Sequence, residues 1–343
     1  MPQILTARTS TQNAAGLLGT LRLFGRRPNL ILRIIGGYQP GADPNEGSIV
    51  GNGWTPTVQS RFPLTVDYDL PAPSQAARLE GAVAPDAITY VPDQDENVVQ
   101  LFHETVDVTF LAASERGRMS DDGVLSQGSG DGFEYSGIPQ RQLGLQLSKV
   151  ARDFNYSALR GTYARPANPG TDTLQMRGIL PALTTNVLDA NGAVLAATHL
   201  EQLYERMIIN SGVQPESGLV AIVAPLQLRA LNAAYATDFR QGDDRMVGGL
   251  MTRTYYTPFG VIGVPTQGAY ELDMPNDELL LVNPDPLRGR YLPVEGESII
   301  VEPLAVTGSA RRWQVYGQLS IDYGAEWLHG KITGLATPPS YYT

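Results

Sequence analysis

Three histidines, His103, His199 and His329, are the side chains best suited to zinc binding or general-base work, and no two stand at helical or hairpin ligand spacing. His103-Glu104 lacks the second histidine of a zincin helix, so polar surface or interface roles account for it better. Asp67 and Asp69 sit at i, i+2 on a strand-like stretch, hence on one face, where a glycosidase would need paired carboxylates. Acids on the solvent side of a projecting flap explain them more simply. Asp121-Asp122-Gly123 lacks the regular acidic spacing of a calcium loop. Gly128, Gly130 and Gly132 follow no apolar strand and precede no Lys-Ser/Thr, so they match no phosphate cradle. No G-x-S-x-G elbow occurs, and the absence of cysteine removes disulfides and thiolate sites. The residue types that do chemistry are scattered, which disfavours a β-rich carbohydrate-active enzyme.

The elements that would position such residues are organised around one rod. Residues 139–164 place Leu143, Leu147, Val150, Ala151, Phe154 and Ala158 at the spacing of a single buried helical face. Pro139 suits the first turn, and Gly161 followed by Pro166 and Pro169 marks the far end. Leu145, Arg152, Tyr156 and Leu159 form a second stripe, left for a neighbouring subunit or the inner surface of an assembly. Before the rod, 13–24 suits a short helix and Leu30 to Ile35 a strand or helical turn. Residues 54–100 read as a two-stranded flap without an apolar face of its own, which needs a partner surface. Residues 98–113 alternate as a strand, and 115–137 are a Gly/Ser-rich connection. After the rod, a helix (199–212), the apolar run 219–225, a helix (226–236) and strand-like segments at 260–264, 279–282 and 291–303 suggest an inserted α/β unit. The tail, 310–336, offers two strands that should pair with 98–113 and complete the rod's own layer.

Composition agrees with an assembly subunit. Charged residues make up 17%, below the quarter or so usual in soluble domains, while 42% are hydrophobic, so much of the surface is expected to meet protein. A net charge of −10 argues against a general nucleic-acid coat. The charge is uneven, however: Arg8, Arg22, Arg26, Arg27 and Arg33 precede the first carboxylate, Asp43. This basic leading arm suits a neighbouring subunit or an anionic partner. Lysine occurs only at Lys149 and Lys331, so arginine, the better cation for interfacial pairing, supplies nearly all positive charge. The run Leu30 to Ile35 is too short and too interrupted for a signal h-region or a membrane span, and the protein is expected to be soluble and unexported.

At the tail, VEPLAVTGSARRWQVYGQLSIDYGAEWLHGKITGL (301–335) resembles the C-terminal signature of a branch of tailed-bacteriophage major capsid proteins. LEGAVAPD (79–86), NVVQLFHETVDVT (97–109), LSKVARDFNYSALRGTYARP (147–166) and MRGILPALTTNVLDANG (176–192) resemble the same family in the same order, so the likeness covers most of the chain from about residue 28. The resemblance implies the Hong Kong 97-type capsid fold, of class α+β. Its parts would be an N-terminal arm (1–53), an extended E-loop (54–97), a peripheral P-domain (98–175 and 304–343) with its spine helix and β-sheet, and an α/β axial A-domain (176–303). It further implies hexamers and pentamers of an icosahedral shell around double-stranded DNA, built in the host cytoplasm and ending in the virion, with no catalytic residue and no cofactor. Portal, scaffolding and cement or decoration proteins would be its partners. An encapsulin-like compartment shell shares the fold and is the near alternative. Some relatives weld their shells from a lysine in the E-loop; here that loop has none, so a non-crosslinked shell is expected. Candidate contact residues are the arm arginines Arg8, Arg22, Arg26, Arg27 and Arg33, and in the E-loop Arg61, Asp67, Asp69, Arg78 and Glu80.

Overall fold

A computed structural model of the chain describes residues 29–35, 54–64, 77–84, 95–110, 138–166, 173–212, 218–236, 241–247, 250–265 and 270–338. In chain order, a helical turn α1 (Leu30–Ile34) precedes strands β1 (Trp54–Pro56), β2 (Arg61–Pro63), β3 (Glu96–Val98) and β4 (Gln100–Thr109). The long helix α2 (Ile138–Arg160) follows, then α3 (Ile179–Ala182), β5 (Val187–Asp189), α4 (Ala197–Ser211), β6 (Leu219–Val223) and α5 (Pro225–Ala236). Strands β7 (Gln241–Val247), β8 (Leu250–Thr257), β9 (Gly260–Pro265), β10 (Leu279–Val282) and β11 (Arg288–Tyr291) come next. The chain closes with β12 (Ile299–Thr307), β13 (Ala310–Asp322), a 3-10 turn (Glu326–Leu328) and β14 (Gly330–Thr333).

The rod forms as its periodicity dictates. Val150, Ala151, Phe154 and Ala158 are buried, Leu143 and Leu147 pack at the margin, and Phe154 sits between Trp54 and Phe102 with ring centroids 5.1 and 6.0 Å away. Leu145 and Tyr156 stay exposed as expected, but Leu159 is fully buried. It lies in the row of Ala151 and Asn155, four residues apart each, and therefore faces inward. The helix stops at Arg160, short of the expected 164, because two backbones meet there. Gly178 N–H donates to Gly161 O at 2.7 Å, and a Cβ on either glycine would lie within 2.7 Å of backbone atoms.

The leading arm is interrupted by an anchor. Leu30, Ile31 and Leu32 are completely buried against α2, and the first N–H groups of α1 are capped from far away in sequence. Leu30 N–H donates to Glu271 Oε2 (3.0 Å) and Ile31 N–H to Asn155 Oδ1 (3.2 Å), whereas Asn29 makes no side-chain cap. Residues 29–35 thus belong to the subunit's own core.

Two principal sheets surround this core. In the spine sheet, β13 is central: β4 runs antiparallel along Ala310 to Leu319, β12 flanks the other side, and β11 continues that side with β1 parallel to it. The second sheet has seven strands in the order β5-β14-β10-β6-β9-β8-β7. Its central strands are buried on both faces. Val220, Ile222, Leu280 and Val282 face the spine core, and Leu219, Ala221, Val223, Leu279 and Leu281 face the cluster under α4.

Two expectations are corrected by this pairing. The tail's first strand pairs with 98–113 as expected, but its second, β14, crosses to the seven-stranded sheet and lies between β5 and β10. Residues 288–303, assigned above to the A-domain, contribute β11 and much of β12 to the spine sheet. The cause is the length of β13: its 13 residues outrun any single partner and recruit two successive ones on the same side.

Candidate assembly surfaces

The β2–β3 ladder, at the root of the 54–97 stretch, is a polar lock. The ladder of β2 on β3 sets Arg61 beside Glu96, and the two form an ion pair within the chain. Tyr163 donates to Glu96 Oε1 at 2.8 Å, and Arg165 stands 3.8 Å from the same oxygen. The Tyr163 hydroxyl, with Arg61 and Arg165 adding to it, holds the Glu96 carboxyl below the usual carboxylate range. Arg177 pairs with Asp95 at 2.6 Å and lies over the Tyr163 ring. Beneath them Asn97 is wholly buried and satisfied. Its Nδ2 donates to Arg177 O and Ile321 O, and its Oδ1 accepts from Arg177 N–H and Val98 N–H.

Residues 77–84, further along that stretch, are the opposite. Residues 77–84 carry a turn closed by Ala82 N–H to Leu79 O (3.1 Å), with Gly81 at φ +80°. That turn presents Leu79 and Val83 at 86% and 91% exposure, with Arg78 and Glu80 exposed beside them. Apolar side chains held out so fully suit a partner surface.

A groove of about 350 Å³ runs between β4 and the outer face of α2, lined by residues 100–104, Val150, Asp153, Tyr156 and Ser157. Leu101 and Tyr156, each 49% exposed, form apolar rims. Lys149 pairs with Glu104 and stands 4.0 Å from Asp153. The spine sheet's far face is polar, with Arg312 on Asp107, Gln314 bonded to Glu302 and His103, and His103 edge-on to Tyr316. Strand β12 leaves Val301 and Val306 exposed beside this face.

A scan against protein families matches residues 38–336 to the model described as SU10 major capsid protein. The chain belongs to that family. Its place is therefore the capsid of a virion. No curated protein matches the chain. Among solved structures, this capsid protein is similar to the SrpI encapsulin of Synechococcus elongatus PCC 7942, with 12% identity, a TM-score of 0.52, and 84% of this chain and 87% of that one covered. It is also similar to the capsid of the native GTA particle (9%, 0.52, 83% and 88%) and to the cyanophage A-1(L) capsid (10%, 0.52, 83% and 90%). Identities this low show the fold alone. That fold is the α+β tailed-phage capsid fold, as the tail motifs implied.

Of the predicted contact residues, Arg8, Arg22, Arg26, Arg27, Asp67 and Asp69 lie outside the described residues, as do Asp121, Asp122 and the glycines at 128, 130 and 132. Arg33 ends the buried anchor, and Arg61 is engaged by Glu96 of its own chain. Arg78 and Glu80 are exposed on the turn. The histidines take intrachain roles. His329 is fully buried, accepting from Asn283 N–H and bonded to Tyr323 O, while His199 Nδ1 accepts from Ala196 N–H. Glu96, Asn97, Tyr163 and Arg177 were missed as the loop's root, because their partners lie 67 to 224 residues apart and leave no local pattern.

Proposed function

We propose that this capsid protein assembles as hexamers and pentamers into an icosahedral shell around the double-stranded DNA of a tailed phage, in the host cytoplasm. The supporting observation is the pairing of a rigid loop root with an exposed apolar tip, beside a spine sheet whose edge strand is half uncovered. Such surfaces are stable only against neighbours, and specific contacts of this kind bury more than roughly 1,000 Å². The role is geometry and adhesion, with no catalytic step and no cofactor. Arg78 and Glu80 contact the next subunit, whereas Asp67 and Asp69 belong to the same loop. The basic arm, with Arg8, Arg22, Arg26, Arg27 and Arg33, serves the inner side near DNA or adjacent subunits. Portal, scaffolding and cement or decoration proteins complete the particle. The division into arm, E-loop, P-domain and A-domain follows the family pattern, with β11 and β12 counted to the spine side.

Electron microscopy of the purified protein tests this. Angular shells or polyheads are expected, and persistent monodisperse monomers would sink it. Boiling particles in detergent should give one monomer band, since the extended loop lacks lysine; a covalent ladder would show welding. The encapsulin-like reading, favoured by the fold likeness to SrpI, is separated by the contents: nuclease-protected DNA belongs to the first reading and packaged protein to the second.

A further inference from the structure

The outer side of α2 carries a pattern that the subunit's own core does not use. Val150, Ala151, Phe154, Ala158 and Leu159 are buried, so what the second half of the helix leaves open is one stripe. It consists of Leu145, Lys149, Asp153, Tyr156 and Arg160, with Arg152 partly exposed at its shoulder. Steps of three and four residues put all six on the same side of the helix. Lys149 and Asp153, 4.0 Å apart, each keep half of the side chain open despite their contact.

The stripe is unchanged in outline when the helix is turned end for end. Reversal about the peptide joining 152 and 153 lays Leu145 on Arg160, Lys149 on Tyr156 and Arg152 on Asp153. Each meeting is chemically complementary: an arginine stem on an apolar side chain, an ammonium beside an aromatic ring, and a guanidinium on a carboxylate. No like charges meet. Parallel alignment in register would instead set Lys149, Arg152, Asp153 and Arg160 each against its own kind. A two-fold contact between identical chains requires this self-complementarity, because the same patch serves both sides. A polyanion fits the stripe less well, since Asp153 stands at its centre and Glu104 is paired with Lys149 beside it.

We infer that α2 packs antiparallel on α2 of a second copy, about a two-fold axis passing between Arg152 and Asp153, with Arg152 of each copy paired to Asp153 of the other. Helices so aligned lie about 8–10 Å apart. One such contact is small, and repetition over a shell multiplies it. The inference rests on the shell-subunit reading for that repetition alone.

The chain has no cysteine, so an introduced thiol is unique. Full-length Leu145→Cys and Arg160→Cys proteins, mixed at high concentration, are treated with a short bis-maleimide. Cross-links from 145 to 160 between copies are expected, whereas 145 to 145 should be absent, because antiparallel packing sets those positions about 22 Å apart along the axis. Adding Arg152→Asp to both proteins should reduce the yield several-fold, and adding Asp153→Arg to both should do the same. Arg152→Asp in one protein mixed with Asp153→Arg in the other should restore it, since each cation again faces a carboxylate. Cross-links from 145 to 145, or none, would overturn the pairing. A response that follows net charge, with Asp153→Arg raising nucleic-acid retention and no rescue on mixing, would give the stripe to DNA and overturn it equally. Circular dichroism verifies that each variant is folded. Electron microscopy of the unmodified protein scores the shell reading separately: cross-links from 145 to 160 without particles keep the pairing and break that reading, and particles without such cross-links do the reverse.

Discussion

The two principal sheets are clothed to different degrees. In the seven-stranded sheet, the central strands β6 and β10 are covered on both faces by their own chain. In the spine sheet one face rests on α2, the other is a polar network, and β12 keeps Val301 and Val306 in the open. An uncovered apolar edge is a hazard for a lone protein and an asset for one that polymerises. The difference makes the covered strands a place to test subunit stability and the exposed valines of β12 a place to test adhesion.

The sharpest way to break this comparison is to cut cavities in the covered strands of the seven-stranded sheet. Leu280→Ala, fully buried within it, is expected to destabilise the subunit by about 3–4 kcal/mol. Chemical denaturation of the unassembled protein measures this, and a loss below about 1 kcal/mol would refute the assignment. His329 joins the two sheets, bonding Asn283 at the end of β10 and Tyr323 just past β13. Burial pushes its pKa down to about 4. A base with a depressed folded pKa is protonated preferentially in the unfolded chain, so its contribution is complete above pH 6.5 and is lost as pH falls toward 4, by about 3 kcal/mol. The Glu271 carboxyl, raised by burial, works in the opposite sense, adding stability as pH falls. Stability against pH should therefore be compared between the parent and His329→Gln in an otherwise identical Glu271→Gln background. The His329→Gln curve should be flatter across that window, and parallel curves would count against the junction.

A smaller effect is expected at the loop root, where Asn97→Ala leaves buried groups of Arg177 and Ile321 unpaired at about 2 kcal/mol. Faster proteolysis of the loop should accompany it. The smallest change in the subunit belongs to the open edge: Val301→Lys with Val306→Lys should alter unfolding by less than about 0.5 kcal/mol yet abolish shells. Normal shells from that variant would mean the edge faces water.

The anchor adds a boundary test between sequence and fold. Deleting residues 1–28 should leave a folded subunit with impaired assembly, whereas deleting 1–36 removes Leu30, Ile31 and Leu32 from the core and should prevent folding. Circular dichroism of the two truncations separates these outcomes. The sequence made the spine helix legible because Val150, Ala151, Phe154 and Ala158 repeat at helical spacing over many turns. Strand β6 was legible as an apolar run buried on both faces, and β13 as an alternating one. The partners of β14 and of β11 were not, because strands of four residues carry too little pattern to choose between two sheets. The hairpin of β7 and β8 was also missed, although Gly248-Gly249 between two strand-forming runs is a hairpin signal. Of the candidate surfaces, residues 79–86 were legible only as a family segment within the flap, not as an exposed turn. The root was not, since Asn97 is an ordinary strand residue until Arg177 and Ile321 are brought to it.

The position of the tail strands has a consequence for the order of events during synthesis. Strand β13 is the centre of one sheet, and β14 joins β5 to the rest of the other, yet both lie in the last 34 residues of the chain. A nascent chain halted before residue 310 can form the rod but can close neither sheet. Loop closure over more than 200 residues, from β4 to β13, makes that final step the slow one. Strand β12, with its exposed valines, acquires its pairing partner only when β13 has been made.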